Sequence, residues 1–267
     1  MSAMSSFTIQ FIGLTISFVQ LGVAAAQGFC YYRAFPCDKL LLKYLVVTVL
    51  ILNTIGAILT SFMYWSFFYN CFRSTSPRCQ AWDMAAMILL FVNYTLPFIV
   101  QSFYCHRVWI ISGKNFYVTI PIILFTASSY VFGLILIPPQ EDGAFSNHAI
   151  LKISVARAVQ TVLCDSMISL SVYFYLRSGR SGVHRTDTRI QSITKNFTSM
   201  GFLVSLLAIS ICILFWANSS VAIAGVATVL RSSYANSLLS TLNARKQPDR
   251  LPTMEIELPT ISGHISR

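Results

Sequence analysis

Long apolar runs alternate with short polar segments along this chain, and the lengths of the runs set its architecture. A bilayer core about 30 Å thick needs roughly 20 apolar residues in a helix. Runs at about 7–29, 44–68, 83–105, 116–138 and 153–176 reach that length with almost no charge inside them. From 196 to 230 no charged residue occurs, too long a stretch for one comfortable span, and "ANSS" at 217–220 offers a turn within it. Splitting there predicts a sixth helix at about 197–217 and a seventh at about 220–242. Helices satisfy their own backbone hydrogen bonds, which lipid cannot do for them. The pattern thus predicts an all-α fold, a seven-transmembrane-helix bundle over 1–243. The remaining tail, 244–267, holds three prolines among mixed polar residues and reads as disordered.

Lys and Arg collect in cytoplasmic loops, so their positions orient the bundle. With the N-terminus outside, the inner segments hold Arg33, Lys39, Lys43, Arg107, Lys114, Arg177, Arg180, Arg185, Arg189, Lys195, Arg245, Lys246, Arg250 and Arg267. The outer segments hold only Arg73, Arg78 and Lys152. Fourteen against three puts the N-terminus outside and the tail in the cytoplasm. One competitor is "VAAAQG" at 23–28, whose small residues resemble a signal-peptidase site. Cleavage there would leave six spans. The first run is longer than a usual signal core and lacks a basic start, which favours retention.

Composition sharpens this picture. Hydrophobic residues make up 55% of 267 positions and charged residues 10%, against about 25% charged in soluble domains. Most of the surface must therefore face lipid, in the plasma membrane or another membrane of the secretory pathway. The net charge of +10 follows from orientation, so it carries no expectation of nucleic acid. Seven scattered cysteines form no CxxC pair, and His106, His148, His184 and His264 all fall in loops or the tail. No metal, no cofactor and no enzyme activity are expected from that distribution. No span contains a lysine, which excludes a retinal Schiff base.

Two ionisable residues interrupt the apolar runs near mid-bilayer. Measured from Ile153, Asp165 lies about 18 Å into the fifth span. Arg231 lies about 16 Å into the seventh. Both spans descend from outside to inside, which places the two at matching depth, and Asn93 and Asn53 fall near the same level. Charge there is costly, so such groups turn inward and find partners. We expect Asp165 to pair with Arg231 inside a polar layer shared with Asn93 and Asn53. Such a layer is either a ligand site or a structural bridge. Arg157 lies near the outer end and is expected to snorkel to the headgroups.

Other features have plainer expectations. Cys71 and Cys79 bracket the second loop on the oxidising side and form a disulfide candidate. Asn218 begins the sequon "NSS" and is a glycosylation candidate close to the membrane. "YWSFFYN" at 64–70 reads as an interfacial aromatic belt. Pro97 and Gly133 are candidate kinks. Cys30 and Cys105 read as inert thiols. The basic loop 177–195 and the tail face any cytosolic partner, or anionic lipid.

Several stretches carry a family resemblance: "LCDSMISLSVYFYLRSG", "HRTDTRIQSITKNFTSMG", "SSYANSLLSTLNARK", "YYRAFPCDK" and "QSFYCHRVW". Together they resemble a large family of fungal membrane proteins, expanded in basidiomycetes, that carries a C-terminal domain of unknown function. The resemblance implies several spans, usually seven, and no activity. It also implies an acidic residue and a histidine in the second span, where this chain has Asn53 and Gly56. Topology, short outer loops and basic inner loops, rather than the resemblance, give the expectation of a receptor-like sensor of a small or lipophilic molecule. The alternatives are a small-solute or lipid transporter, and a structural membrane component without a ligand.

Overall fold

The computed structural model describes residues 3–73, 84–137, 147–178 and 220–245, with residues 204, 206, 207, 209–211, 213 and 214 described between the last two blocks. Among the described residues there are six continuous helices and no strand. These are α1 (Ala3–Ala34), α2 (Leu40–Arg73), α3 (Met84–Ile111), α4 (Phe116–Ile135), α5 (Asn147–Ser178) and α6 (Ser220–Asn243). The eight residues described between α5 and α6 are all helical.

Five helices, α1 to α5, contain stretches long and apolar enough to cross a membrane. Their outward faces carry large apolar side chains: Leu41 is 79% exposed and Leu124 63%. The polar side chains point the other way. Ser17, Asn53, Gln101, Asp165, Arg231 and Ser232 are all buried, and Arg231 is the largest of the fully buried side chains. A water-soluble protein buries apolar groups and pairs or exposes charge. This chain has the inverse arrangement, that of an integral membrane protein.

Helix α6 explains how. Residues 231–239 are buried without a break, because α1, α2 and α3 all pack on this helix. A helix enclosed by other helices faces no lipid and need not be apolar. For that reason α6 is absent from the five apolar spans. Its contact with α1 is the most extensive in the molecule. The two backbones meet at a glycine pair, where a Cβ on Gly13 would lie 2.5 Å from the Gly225 carbonyl oxygen. Only residues without a side chain allow that approach.

Side-chain contacts give the helix directions. Ser17 meets Ser232 and the Gln27 carbonyl meets Asn243, so α1 and α6 run parallel. Asn93 meets Arg231 and Tyr104 meets Ser237, so α3 shares that direction. Helix α4 is antiparallel to α3, through Thr95–Tyr130 and Trp109–Phe116. It is also antiparallel to α5, through Thr126–Cys164 and Asn115–Tyr175. Helices α1, α3, α5 and α6 therefore point one way, and α2 and α4 the other.

Short turns close one end of the bundle. Between α3 and α4, Gly113 and Lys114 adopt φ values of +67° and +66°, and Asn115 caps α4 by accepting from the Tyr117 amide at 3.0 Å. Pro97 and Pro121 lie within α3 and α4 without ending either helix. The stretch 23–28 is mid-helix in α1, and Ala24 is fully buried there. Cys79 and Asn218 lie outside the described residues, as does the side chain of Cys71, so the disulfide and glycosylation candidates do too. Most of loop 177–195 and the tail beyond Arg245 also lie outside them.

Candidate functional site

A ladder of polar side chains runs the length of α6. Along α1, Ser17 Oγ lies 2.9 Å from Ser232 Oγ, and Gln20 Nε2 donates to Ser233 Oγ at 2.9 Å. Asn236 Nδ2 donates to the Gln20 carbonyl, and Asn243 Nδ2 to that of Gln27 at 2.8 Å. From α2, Asn53 Oδ1 accepts from Ser232 Oγ at 3.1 Å. From α3, Tyr104 meets Ser237 at 2.7 Å. Inside lipid such bonds fix rotation and register where apolar packing alone would allow sliding.

Both mid-bilayer ionisable groups face inward on this ladder, yet they do not pair with each other. The Asp165 carboxylate, 6% exposed, accepts from the Tyr234 hydroxyl at Oδ2 and from Gln101 Nε2 at Oδ1, the latter at 3.1 Å. Gln101 also reaches the Tyr234 hydroxyl at 3.2 Å. Arg231 donates from Nη1 to Asn93 Oδ1 at 2.8 Å. The expected Asp165–Arg231 pair is thus replaced by two separate centres, each held by neutral partners.

Their partners on α3 show the offset between the two centres. On α3, which serves both centres, Asn93 and Gln101 are about 12 Å apart along the axis. Of the four residues assigned to one polar layer, Arg231 and Asn93 come together with Asn53 close by. Asp165 sits apart with Gln101 and Tyr234.

Arg157 also departs from expectation. Its guanidinium stacks on the Tyr94 ring, 4.0 Å from the centroid, and its Nε is buried. Cation–π contact with an inward-facing ring replaces snorkelling. Trp65 and Tyr69 are exposed near the end of α2, as an aromatic belt requires. Cys30 is an exposed free thiol and Cys105 a buried one.

Sequence reading gave no role to Gln101, Tyr234, Ser17 or Ser232, although all but Ser17 fall within the stretches that carry the family resemblance, since each is an ordinary residue in a membrane helix until its facing is known. It also passed over Asp38. That carboxylate, in the turn between α1 and α2, receives Arg245 Nη2 at 2.8 Å, the Tyr31 hydroxyl at 2.8 Å and the Lys39 amide at 3.0 Å. Burial pushes the Asp38 carboxyl up, but these three donors outweigh it and hold it below its ordinary value of 3.8. The cluster ties the α1–α2 turn to the residue just beyond α6. Among the described residues no group of His, Cys, Asp or Glu has the makings of a metal site.

Residues 161–247 match the model of a family of unknown function, DUF6534. The match contains Asp165, Arg231, Tyr234 and Arg245. It stops short of their partners Gln101, Asn93 and Asp38. No curated protein and no solved structure matches the chain.

Proposed function

We propose that this chain is a seven-span, receptor-like membrane protein that senses a small or lipophilic molecule through the polar face of α6. One observation carries the reading: Asp165 and Arg231 are both buried in the bundle and neither neutralises the other. A structural bridge would spend the two charges on each other, because an unpaired ion in this setting is costly. Keeping them apart leaves two centres able to answer a ligand.

The span count has its own support. Helices α5 and α6 run in the same direction, so the chain between them has to return the length of the bundle. The eight residues described in that interval are helical, which fits a sixth span at about 197–217. Lys and Arg asymmetry favours the N-terminus outside, with loop 177–195 and the tail presented to a cytosolic partner. The match at 161–247 accords with the fungal membrane-protein resemblance and adds no activity.

The transporter reading has one specific observation in its favour, a buried carboxylate whose partners are neutral donors. A broad small-molecule panel, read by thermal unfolding of the purified protein in nanodiscs, tests the sensor reading. We expect at least one saturable ligand whose stabilisation shrinks in Asp165→Asn or Arg231→Gln. A panel with no such ligand sinks the proposal. Proteoliposome flux that vanishes in Asp165→Ala would give the site to the transporter instead.

A further inference from the structure

The Arg231 centre carries chemical information that the Asp165 centre lacks. Only Nη1 of the guanidinium is engaged, by Asn93. Nε and Nη2 are buried and have no hydrogen-bond partner. These two nitrogens form one edge of the guanidinium, and their N–H bonds make the parallel fork that matches the two oxygens of a carboxylate. A third free donor is carried by α2. Asn53 is fully buried, its Oδ1 is used by Ser232, the neighbour of Arg231, and its Nδ2 has no partner.

Helix α2 brings the two together at Gly56, one turn from Asn53. A Cβ on Gly56 would lie 2.5 Å from Arg231 Cζ, so a side chain at this position would have to displace the guanidinium from where it lies. The free donors are thus carried by neighbouring stretches of α2 and α6, and among the described residues the guanidinium has no anionic partner. A guanidinium keeps its proton at neutral pH, and Arg231 is 1% exposed. Among the described residues the buried carboxylate is Asp165, and it is occupied by Gln101 and Tyr234. The unpartnered acceptors among the described residues, on Gln20, Gln27, Gln160 and Asn236, make no hydrogen bond to the guanidinium.

We propose that the Nε–Nη2 edge of Arg231, flanked by Asn53 Nδ2, is a binding site for the carboxylate group of a small-molecule ligand. The inference rests on the sensor reading and narrows its ligand to the carboxylic acids. Its physical basis is a charge-assisted bidentate bond that supplies the missing counter-ion and satisfies three buried donors at once.

The test uses the full chain in phosphatidylcholine nanodiscs at neutral pH, with carboxyl-labelled octanoate as the probe and octanamide as its neutral match. Octanoate should raise the unfolding midpoint saturably and broaden its own carboxyl resonance, while octanamide does neither. Arg231→Gln should abolish both effects. Arg231→Lys, which keeps the charge and loses the fork, should weaken apparent affinity at least about tenfold. Should Arg231 variants fail to fold, Asn53→Ala leaves the guanidinium in place and should still weaken octanoate several-fold. Equal stabilisation by octanoate and octanamide would overturn the carboxylate assignment and leave the sensor reading standing. So would an octanoate effect unchanged in Arg231→Gln. No response to either probe overturns the assignment as well, and the sensor reading then stands or falls on the broader panel.

Discussion

Asp165 and Tyr234 show how a single residue acquires its meaning from a neighbour that sequence spacing does not reveal. The carboxylate was legible as an anomaly because charge at mid-bilayer is costly. Its partner was not, since a tyrosine in a membrane helix is unremarkable until the helix is rotated into place. Replacing Tyr234 by Phe removes the donor to Oδ2 and leaves most of the ring packing. Bonds to charged groups contribute about 1.5–3 kcal/mol in soluble proteins, while side-chain bonds in membrane proteins average nearer 0.6 kcal/mol. We expect Tyr234→Phe to cost about 1–2 kcal/mol in a reversible detergent-unfolding assay, with Tyr175→Phe, at the 3.4 Å contact to Asn115, costing less.

Among the elements, α1 to α5 were readable from length and lack of charge, because lipid selects for both. Their ends were less so. Helix α1 runs past Arg33 to Ala34 and α5 begins at Asn147 before Lys152, since a charged residue at the interface need not end a helix. Similar distances from the ends of two runs made a pair with Arg231 look natural, whereas helix rotation and packing decide which side chains meet. Helix α6 was found by splitting a long run, although its enclosure could not be read from it. The seam with α1 predicts that Gly225→Val pushes the helices apart, as a Cβ there would lie 2.7 Å from Gln10 Cα. Overpacking of this kind costs about 1–3 kcal/mol, and the variant should unfold at lower temperature, whereas Gly22→Ala, with open space around it, should not. The other end of the seam responds to pH. Asp38 is held below 3.8 chiefly by Tyr31, Lys39 and Arg245, against the upward push of burial. Its contribution is therefore complete above the ordinary carboxylate range and lost as pH falls through the lowered value. Asp38→Asn should flatten that acid limb by lowering the curve above it, leaving stability at the acid end unchanged.

For the molecule as a whole, the described residues form five lipid-facing helices and one enclosed polar helix, and hydrogen bonds organise the interior. The sequence pattern foretold the embedding, through 55% hydrophobic and 10% charged residues, and foretold that the few buried charges would turn inward. It did not foretell that they would be kept separate, because that depends on the relative rotation and offset of three helices. The separation is the central claim. A double-mutant cycle on Asp165→Asn and Arg231→Gln, read as unfolding free energy in one detergent, measures it most directly. Independent centres predict that the two costs add to within about 0.5 kcal/mol. A coupling of well over about 1 kcal/mol, with the second substitution relieving the first, would mean that the two charges neutralise each other and would contradict the account.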